Sequence, residues 1–97
     1  MIESIRDKAV KKFFDDGDAS KLDANHVEKI REVLTALDNA EGLDDLSLPG
    51  FNTHPLTGDK KGRYSIKVQG GWCITFEFED GVARRVEYEN YHKGKHR

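Results

Sequence analysis

The sequence predicts an α+β fold in which two N-terminal helices pack on a small, twisted antiparallel sheet. Up to about residue 50 the apolar residues recur at helical spacing, and beyond it they alternate with polar ones. Two glycine-containing turn dipeptides divide the alternating part into three strands. The length of 97 residues fits a single domain covering residues 1–97.

The two helices are predicted from their apolar faces and from their ends. The first covers Asp7–Asp16, and Gly17 is a natural stop after it. Asp23 is a suitable N-cap for the second, Ala24–Asn39. One more helical turn is expected within Glu41–Leu48. The second helix carries an apolar stripe at i, i+3, i+4 and i+7 spacing, namely Val27, Ile30, Val33, Leu34 and Leu37.

The second half predicts an antiparallel meander. Its strands are Arg63–Gln69, Trp72–Glu79 and Val82–Tyr91, joined by two-residue turns at Gly70-Gly71 and Asp80-Gly81. The short apolar start at Ile2 is expected to add an edge strand.

Strand alternation predicts which side chains face the helices. Val82, Val86 and Tyr88 are expected to pack inward, whereas Cys73 falls on the opposite, solvated face beside Thr75 and Glu77. The residues expected to be buried together are Trp72, Ile74, Phe76, Val86 and Leu34.

Charge is distributed unevenly along the chain. Residues 1–50 carry 7 Lys/Arg and 12 Asp/Glu, a balance of −5, whereas residues 51–97 carry 9 and 6, a balance of +3. A basic half attracts phosphates, although chance scatter explains such a difference about equally well. The single cysteine cannot form an internal disulfide, and no signal peptide or membrane-spanning run is visible. We therefore expect a cytoplasmic protein without a membrane partner.

Two segments could carry chemistry. The loop 54–63 contains His54 and three cations, although a solvated basic turn is the simpler interpretation. The C-terminal segment contains Tyr91, which can stack on a base, and His92, which can exchange protons near neutrality. If the loop folds back so that the two histidines meet, the site can cleave RNA without a metal, one group deprotonating the 2′-hydroxyl and another protonating the 5′-oxygen. The spacing of Cys73, His92 and His96 is not that of a metal site.

The second half also contains four blocks whose order and spacing are specific. They are His54-Pro55-Leu56 with Gly58-Asp59-Lys60-Lys61-Gly62, Tyr64-Ser65-Ile66-Lys67-Val68, Trp72 with Ile74-Thr75-Phe76, and Tyr88-Glu89-Asn90-Tyr91-His92. In these blocks and in its two-helix first half, the sequence resembles the HigB "killer protein" branch of the RelE-like toxins. The resemblance implies a RelE-like fold and a toxin that acts as a ribosome-dependent mRNA endonuclease without a metal ion or other cofactor. It also implies a HigA-type helix-turn-helix antitoxin as partner, besides the ribosome and mRNA.

The resemblance assigns roles to individual residues. The catalytic candidates are His54, Lys60, Tyr91 and His92. The candidates for RNA or phosphate binding are Lys61, Arg63, Lys67, Cys73 and Asn90.

Three positions depart from the pattern of that family. Lysine is common where this chain has Thr57, an acidic residue where it has Asn90, and arginine where it has Cys73. The last departure predicts attenuated cleavage, because a cation at that position could contact the scissile phosphate. Two alternatives stay open: a non-catalytic module that binds an antitoxin or the ribosome, and a plain RNA-binding protein.

Overall fold

Two helices precede a four-stranded antiparallel sheet in the computed structural model, which describes residues 1–58 and 62–90. None of the helices within these ranges is long and apolar enough to cross a lipid bilayer. The predicted α+β arrangement is confirmed. Its elements are α1 Lys8–Asp16, α2 Val27–Asn39, β1 His54–Pro55, β2 Arg63–Gln69, β3 Trp72–Glu79 and β4 Val82–Asn90.

The helices begin and end close to the predicted signals. The Asp7 carboxylate accepts a hydrogen bond from the backbone N–H of Val10, and Gly17 ends α1 in the left-handed conformation. Asp23 caps a 3₁₀ turn, Ala24–His26, which leads directly into α2. The expected additional turn is a 3₁₀ helix over Leu43–Leu46.

The sheet has strand order β1-β2-β3-β4, and neighbouring strands are antiparallel. Asp80 and Gly81 both have positive φ, as the turn between β3 and β4 requires. The sequence predicted only three strands; the fourth is β1, whose Pro55 suits an edge position because proline cannot donate to a ladder. The N-terminal segment pairs in parallel with β4 through Ile2 and Ile5, so the expected edge pairing is present as two isolated bridges.

The core lies between the helices and one face of the sheet. Four of the five residues predicted to be buried together are buried, and Trp72 is half-buried, with its ring stacked 4.6 Å from that of Tyr88. Val82 was predicted to face inward, but Ala83 occupies the core instead. The reason is a β-bulge, in which Arg85 and Val86 together oppose Phe76 and shift the alternation by one residue.

The opposite face of the sheet is not the solvated surface that the sequence predicted. Cys73 is only 4% exposed and Thr75 only 1%, although neither belongs to the apolar core. The strand phase was therefore right for β3, and the predicted solvation was wrong. Polar side chains from neighbouring strands cover this face, as the contacts of Arg63 and Glu89 with Thr75 show.

Candidate nucleic-acid cleft

A cleft of about 230 Å³ opens on the face of the sheet that the helices leave uncovered. It forms because the chain before β1 runs beside β2, where the Lys67 backbone N–H donates to the carbonyl of Phe51. We call it the sheet cleft. Its lining residues are Asn52, His54, Ser65, Lys67, Gly70, Gly71, Trp72 and Cys73.

His54 lies on the rim of the sheet cleft and is exposed. It is in β1, directly opposite Ser65 of β2. Its Nδ1 lies 3.2 Å from the backbone carbonyl of Pro55. Because a carbonyl can only accept, Nδ1 carries the hydrogen in this contact, and Nε2 is the ring atom left to exchange a proton with a ligand.

Lys67 and Cys73 form a directly opposed pair across β2 and β3, and both line the sheet cleft. Lys67 is exposed, so its ammonium group is available to an anion. Cys73 contributes a buried wall. As expected, it borders the same cleft as His54; unlike the expectation, it is not a surface residue.

Arg63 lies on the predicted face of β2 but is buried rather than exposed. Its Nη2 donates to Thr75 Oγ1 and to the backbone carbonyl of Arg85, each at 2.9 Å. Its guanidinium also lies 3.8 Å from Glu77 and 3.7 Å from Glu87. The structure thus places Arg63 within an ion-pair network under the cleft, and the phosphate contact assigned to it stays a prediction.

The sequence analysis overlooked Glu89, which is half-buried on the same face. Its Oε2 accepts a 2.5 Å hydrogen bond from Thr75 Oγ1, and in the strand ladder it stands opposite Cys73. Strand alternation placed Glu89 on the outward side, which is the signal that could have drawn attention to it.

Several predicted site residues lie outside the described ranges, namely Lys60, Lys61, Tyr91 and His92. Asn90 ends β4 and pairs with Trp72, which itself lines the sheet cleft. His54 in β1 and Asn90 in β4 belong to strands at opposite edges of the sheet, but their ladder partners, Ser65 and Trp72, both line the sheet cleft. That His54, Lys60, Tyr91 and His92 share one cleft stays a prediction.

A buried aromatic cluster supports this end of the sheet from the helix side. His26 is buried, and its Nδ1 is hydrogen bonded to the hydroxyl of Tyr88, which stacks on Trp72. Burial raises the pKa of Tyr88 to about 12, and the negative charges of Asp23 and Asp7 act in the same direction. Tyr88 therefore keeps its phenolic proton at neutral pH, and the cluster joins the start of α2 to β4 close to the end of that strand.

Within residues 1–58 and 62–90, no group of three or more His, Cys, Asp or Glu side chains is placed to hold a metal ion. The functional groups of the sheet cleft include an imidazole, an ammonium group, a thiol and a hydroxyl, and the carboxylate of Glu89 lies beside them. Such groups can bind a phosphodiester and move protons on it.

Comparison with solved structures defines the class of fold. YafQ from E. coli superimposes with a TM-score of 0.58 at 20% identity, covering 96% of this chain and 94% of that chain. A mutant of YafQ gives a TM-score of 0.57 with the same coverage. The chain therefore shares the fold of YafQ, and the predicted fold class is confirmed.

Sequence comparison identifies the family within that class. Residues 3–92 match the family described as RelE-like toxin of type II toxin–antitoxin system HigB. The chain is 39% identical to Endoribonuclease HigB of Proteus vulgaris, over 95% of this chain and 100% of that protein. It is 32% identical to Toxin HigB-1 of Vibrio cholerae, over 96% of this chain and 99% of that protein. The chain belongs to the HigB-like toxin family, and a toxin of a type II system has an antitoxin as its partner.

Proposed function

We propose that this protein is the toxin of a type II toxin–antitoxin system and that it cleaves mRNA on the ribosome as a metal-independent endoribonuclease. A HigA-type helix-turn-helix antitoxin would silence it, and the reaction would take place in the cytoplasm, where the ribosomes are. The observation that carries the proposal is the sheet cleft of about 230 Å³, whose lining contains both His54 and Lys67. The name of the Proteus vulgaris relative supports the reaction.

The proposed chemistry is an internal transesterification of RNA. The 2′-oxygen attacks the adjacent phosphorus, the bond from phosphorus to the 5′-oxygen breaks, and the products are a 2′,3′-cyclic phosphate and a 5′-hydroxyl. His54 and His92 are proposed for proton transfer, Tyr91 for holding the RNA, and Lys60 for stabilising charge on the phosphorane. Neither nucleophile nor leaving group needs a metal in this scheme.

Phosphate binding is proposed for the polar residues of the second half. Lys67 supports the assignment because it is an exposed cation in the wall of the cleft. Further contacts are proposed for Lys61, Arg63 and Asn90. Cys73 places an uncharged thiol where a longer cationic side chain could reach a phosphate, so we expect cleavage that is slower than in a variant with arginine there.

A second candidate function is a non-catalytic module that binds an antitoxin or the ribosome. The observation that favours it is the buried, uncharged Cys73 in the wall of the cleft. In this candidate the protein has the same fold and the same binding partners but does not cleave RNA.

The test is cleavage of a defined mRNA by the purified protein on translating ribosomes, followed by primer extension and repeated with EDTA. We expect cuts only when ribosomes are present, with no effect of EDTA. His54→Gln should lower the rate by 10²-fold or more, as loss of an acid–base group commonly does. Lys67→Gln should weaken RNA binding. The control is Lys12→Gln, the same change of charge at an exposed position of α1.

An inactive wild-type protein would exclude the nuclease, and capture of a helix-turn-helix antitoxin by that inactive protein would then establish the second candidate. Cleavage that EDTA abolishes would contradict the metal-independent reaction.

A further inference from the structure

We propose that Glu89, which lies beside the sheet cleft and opposite Cys73, is a further catalytic residue, the general base that removes the proton from the 2′-hydroxyl of the RNA. The assignment rests on the proposed function and names a proton acceptor for it. It leaves the imidazoles to protonate the leaving oxygen and to stabilise the phosphorane.

The first argument is the way in which the carboxylate is held. Thr75 is almost fully buried, receives a hydrogen bond from Arg63 and donates one to Glu89 Oε2. A hydroxyl has a single hydrogen, so the bond from Arg63 directs that hydrogen toward the carboxylate. Glu89 thus has a fixed orientation on the floor of the sheet, as a group that exchanges a proton in a defined geometry requires.

The second argument is position. Glu89 faces Cys73 across the ladder, and its carboxylate lies over Thr75, in the row of the sheet that also contains Ser65 and His54. His54 and Thr75 are two strands apart, which is about 10 Å between backbone positions. We infer that a phosphodiester group binds between the imidazole of His54 and the carboxylate of Glu89. This is the arrangement that an in-line displacement needs, with base and acid on opposite sides of the phosphorus.

The third argument is the environment of the other ionisable groups on this face. Glu77 lies 2.8 Å from Arg85 and 3.8 Å from Arg63. Glu87 lies 3.7 Å from Arg63 and 3.8 Å from Arg6. Both carboxylates thus pair with guanidinium groups, and Lys67, on the other side of Cys73, supplies a positive charge beside the cleft. Among the carboxylates of this face in residues 1–58 and 62–90, Glu89 is the one whose ladder partner, Cys73, belongs to the cleft wall.

The proposed step is balanced. The carboxylate of Glu89 takes the proton of the 2′-hydroxyl as the 2′-oxygen forms its bond to phosphorus. The bond between phosphorus and the 5′-oxygen then breaks, and an imidazolium gives its proton to that oxygen. No oxidant, reductant or metal takes part.

The first experiment compares Glu89→Gln with Glu79→Gln on translating ribosomes. Glu79 is the matched control, since it is an exposed glutamate at the end of β3, whereas Glu89 pairs with Cys73 near the start of that strand. We expect Glu89→Gln to lower kcat by roughly 10²- to 10⁴-fold with little change in KM, as loss of a general base does. Glu79→Gln should leave both unchanged. Glu89→Asp, which retains a carboxylate at shorter reach, should recover part of the rate.

The second experiment separates base from acid. In a substrate whose 5′-oxygen at the cleavage site is replaced by sulfur, the leaving group departs without protonation. A variant that lacks the acid regains its rate on this substrate, whereas one that lacks the base does not. We expect Glu89→Gln to remain slow on this substrate. His54→Gln is tested alongside it and should regain its rate if His54 is the acid.

The outcomes are distinct. Wild-type activity together with an equally active Glu89→Gln would overturn the role of Glu89 and leave the proposed nuclease intact. Rescue of Glu89→Gln by the sulfur substrate would make it the acid and overturn the assignment as base. An inactive wild-type protein would overturn both proposals. Antitoxin binding and circular dichroism establish that each variant is folded, and Glu89→Ala, which also removes the carboxylate, gives the same test if the glutamine variant is not.

Discussion

The two faces of the sheet use neighbouring residues of the same strands in different ways. Ile74 and Phe76 are fully buried among apolar side chains beneath the helices. Thr75 lies between them in sequence and is equally buried, but on the other face, where it contacts Arg63 and Glu89. Burial alone therefore does not distinguish a core from a site. The kind of contact does, since apolar packing tolerates no charge, whereas the polar face is a network in which each buried group has a charged or hydrogen-bonding neighbour.

The largest effect is expected on the helix-covered face. Phe76→Ala should lower the free energy of unfolding by about 3–5 kcal/mol, because it removes a fully buried ring and leaves a cavity. Phe14→Ala, at a side chain that is 37% exposed, should cost much less. Urea denaturation followed by Trp72 fluorescence measures both. Similar losses in the two variants would contradict the assignment of the core to this face.

The polar face is tested by Arg63→Met, which removes the cation shared by Thr75, Glu77 and Glu87. We expect a loss of about 1–3 kcal/mol, since buried polar partners lose a donor but the two carboxylates keep other arginines. The control is Arg84→Met, which breaks an exposed ion pair with Glu3 and should cost less than about 1 kcal/mol. Denaturation at low and high salt would show whether the network is held together electrostatically. An unchanged stability of Arg63→Met would mean that the network adds nothing to the fold.

Cys73→Arg tests whether a buried residue of the cleft wall affects both the stability of the fold and the rate of cleavage. Because Cys73 is buried, we expect a cost in stability of about 1–3 kcal/mol, above the roughly 0.5 kcal/mol of an ordinary surface change. The side chain can extend into the sheet cleft, so cleavage should become faster and growth arrest stronger when the gene is expressed without antitoxin. Cys73→Ser serves as the small, uncharged comparison. Equal toxicity of the arginine variant and the wild type would show that position 73 does not limit the reaction.

The smallest effect on stability is expected at Tyr88, which stacks on Trp72, a residue of the cleft lining. The pKa of Tyr88 rises from about 10 in an unfolded chain to about 12 here, so the folded state holds the phenolic proton more tightly. The stability from this difference is complete below pH 10 and is lost as the pH rises from 10 to 12. Because the residue is only partly buried, we expect about 1 kcal/mol after solvent screening. Tyr88→Phe should remove this part of the alkaline pH dependence; a variant that keeps it would assign the titration to another group.

Most of the secondary structure could be predicted because local signals sufficed. Asp7 and Gly17 bound α1, and the Gly70-Gly71 and Asp80-Gly81 turns separate the strands, as expected from residues that are favoured at helix ends and turns. The error at Val82 has a physical cause. A β-bulge inserts one residue into the ladder, and period-2 alternation carries no sign of it.

The candidate site was less predictable. The resemblance to HigB-like toxins indicated His54 and Lys67, both of which line the sheet cleft. Glu89 was missed, because a glutamate on the outer face of a strand is usually solvated and only its contact with Thr75 distinguishes it.

By itself, the sequence determined the order of the two helices and the three meander strands, and their apolar faces except at the start of β4, because these properties depend on residue types at short, regular spacing. The family followed from the resemblance of four blocks of residues to the HigB-like toxins. Only the tertiary structure decided that β1 folds back along β2 and that Cys73 and Arg63 are buried. Each of these depends on contacts between residues far apart in the chain. Such contacts form only when the strands pair and the helices pack on the sheet, and no local pattern encodes them.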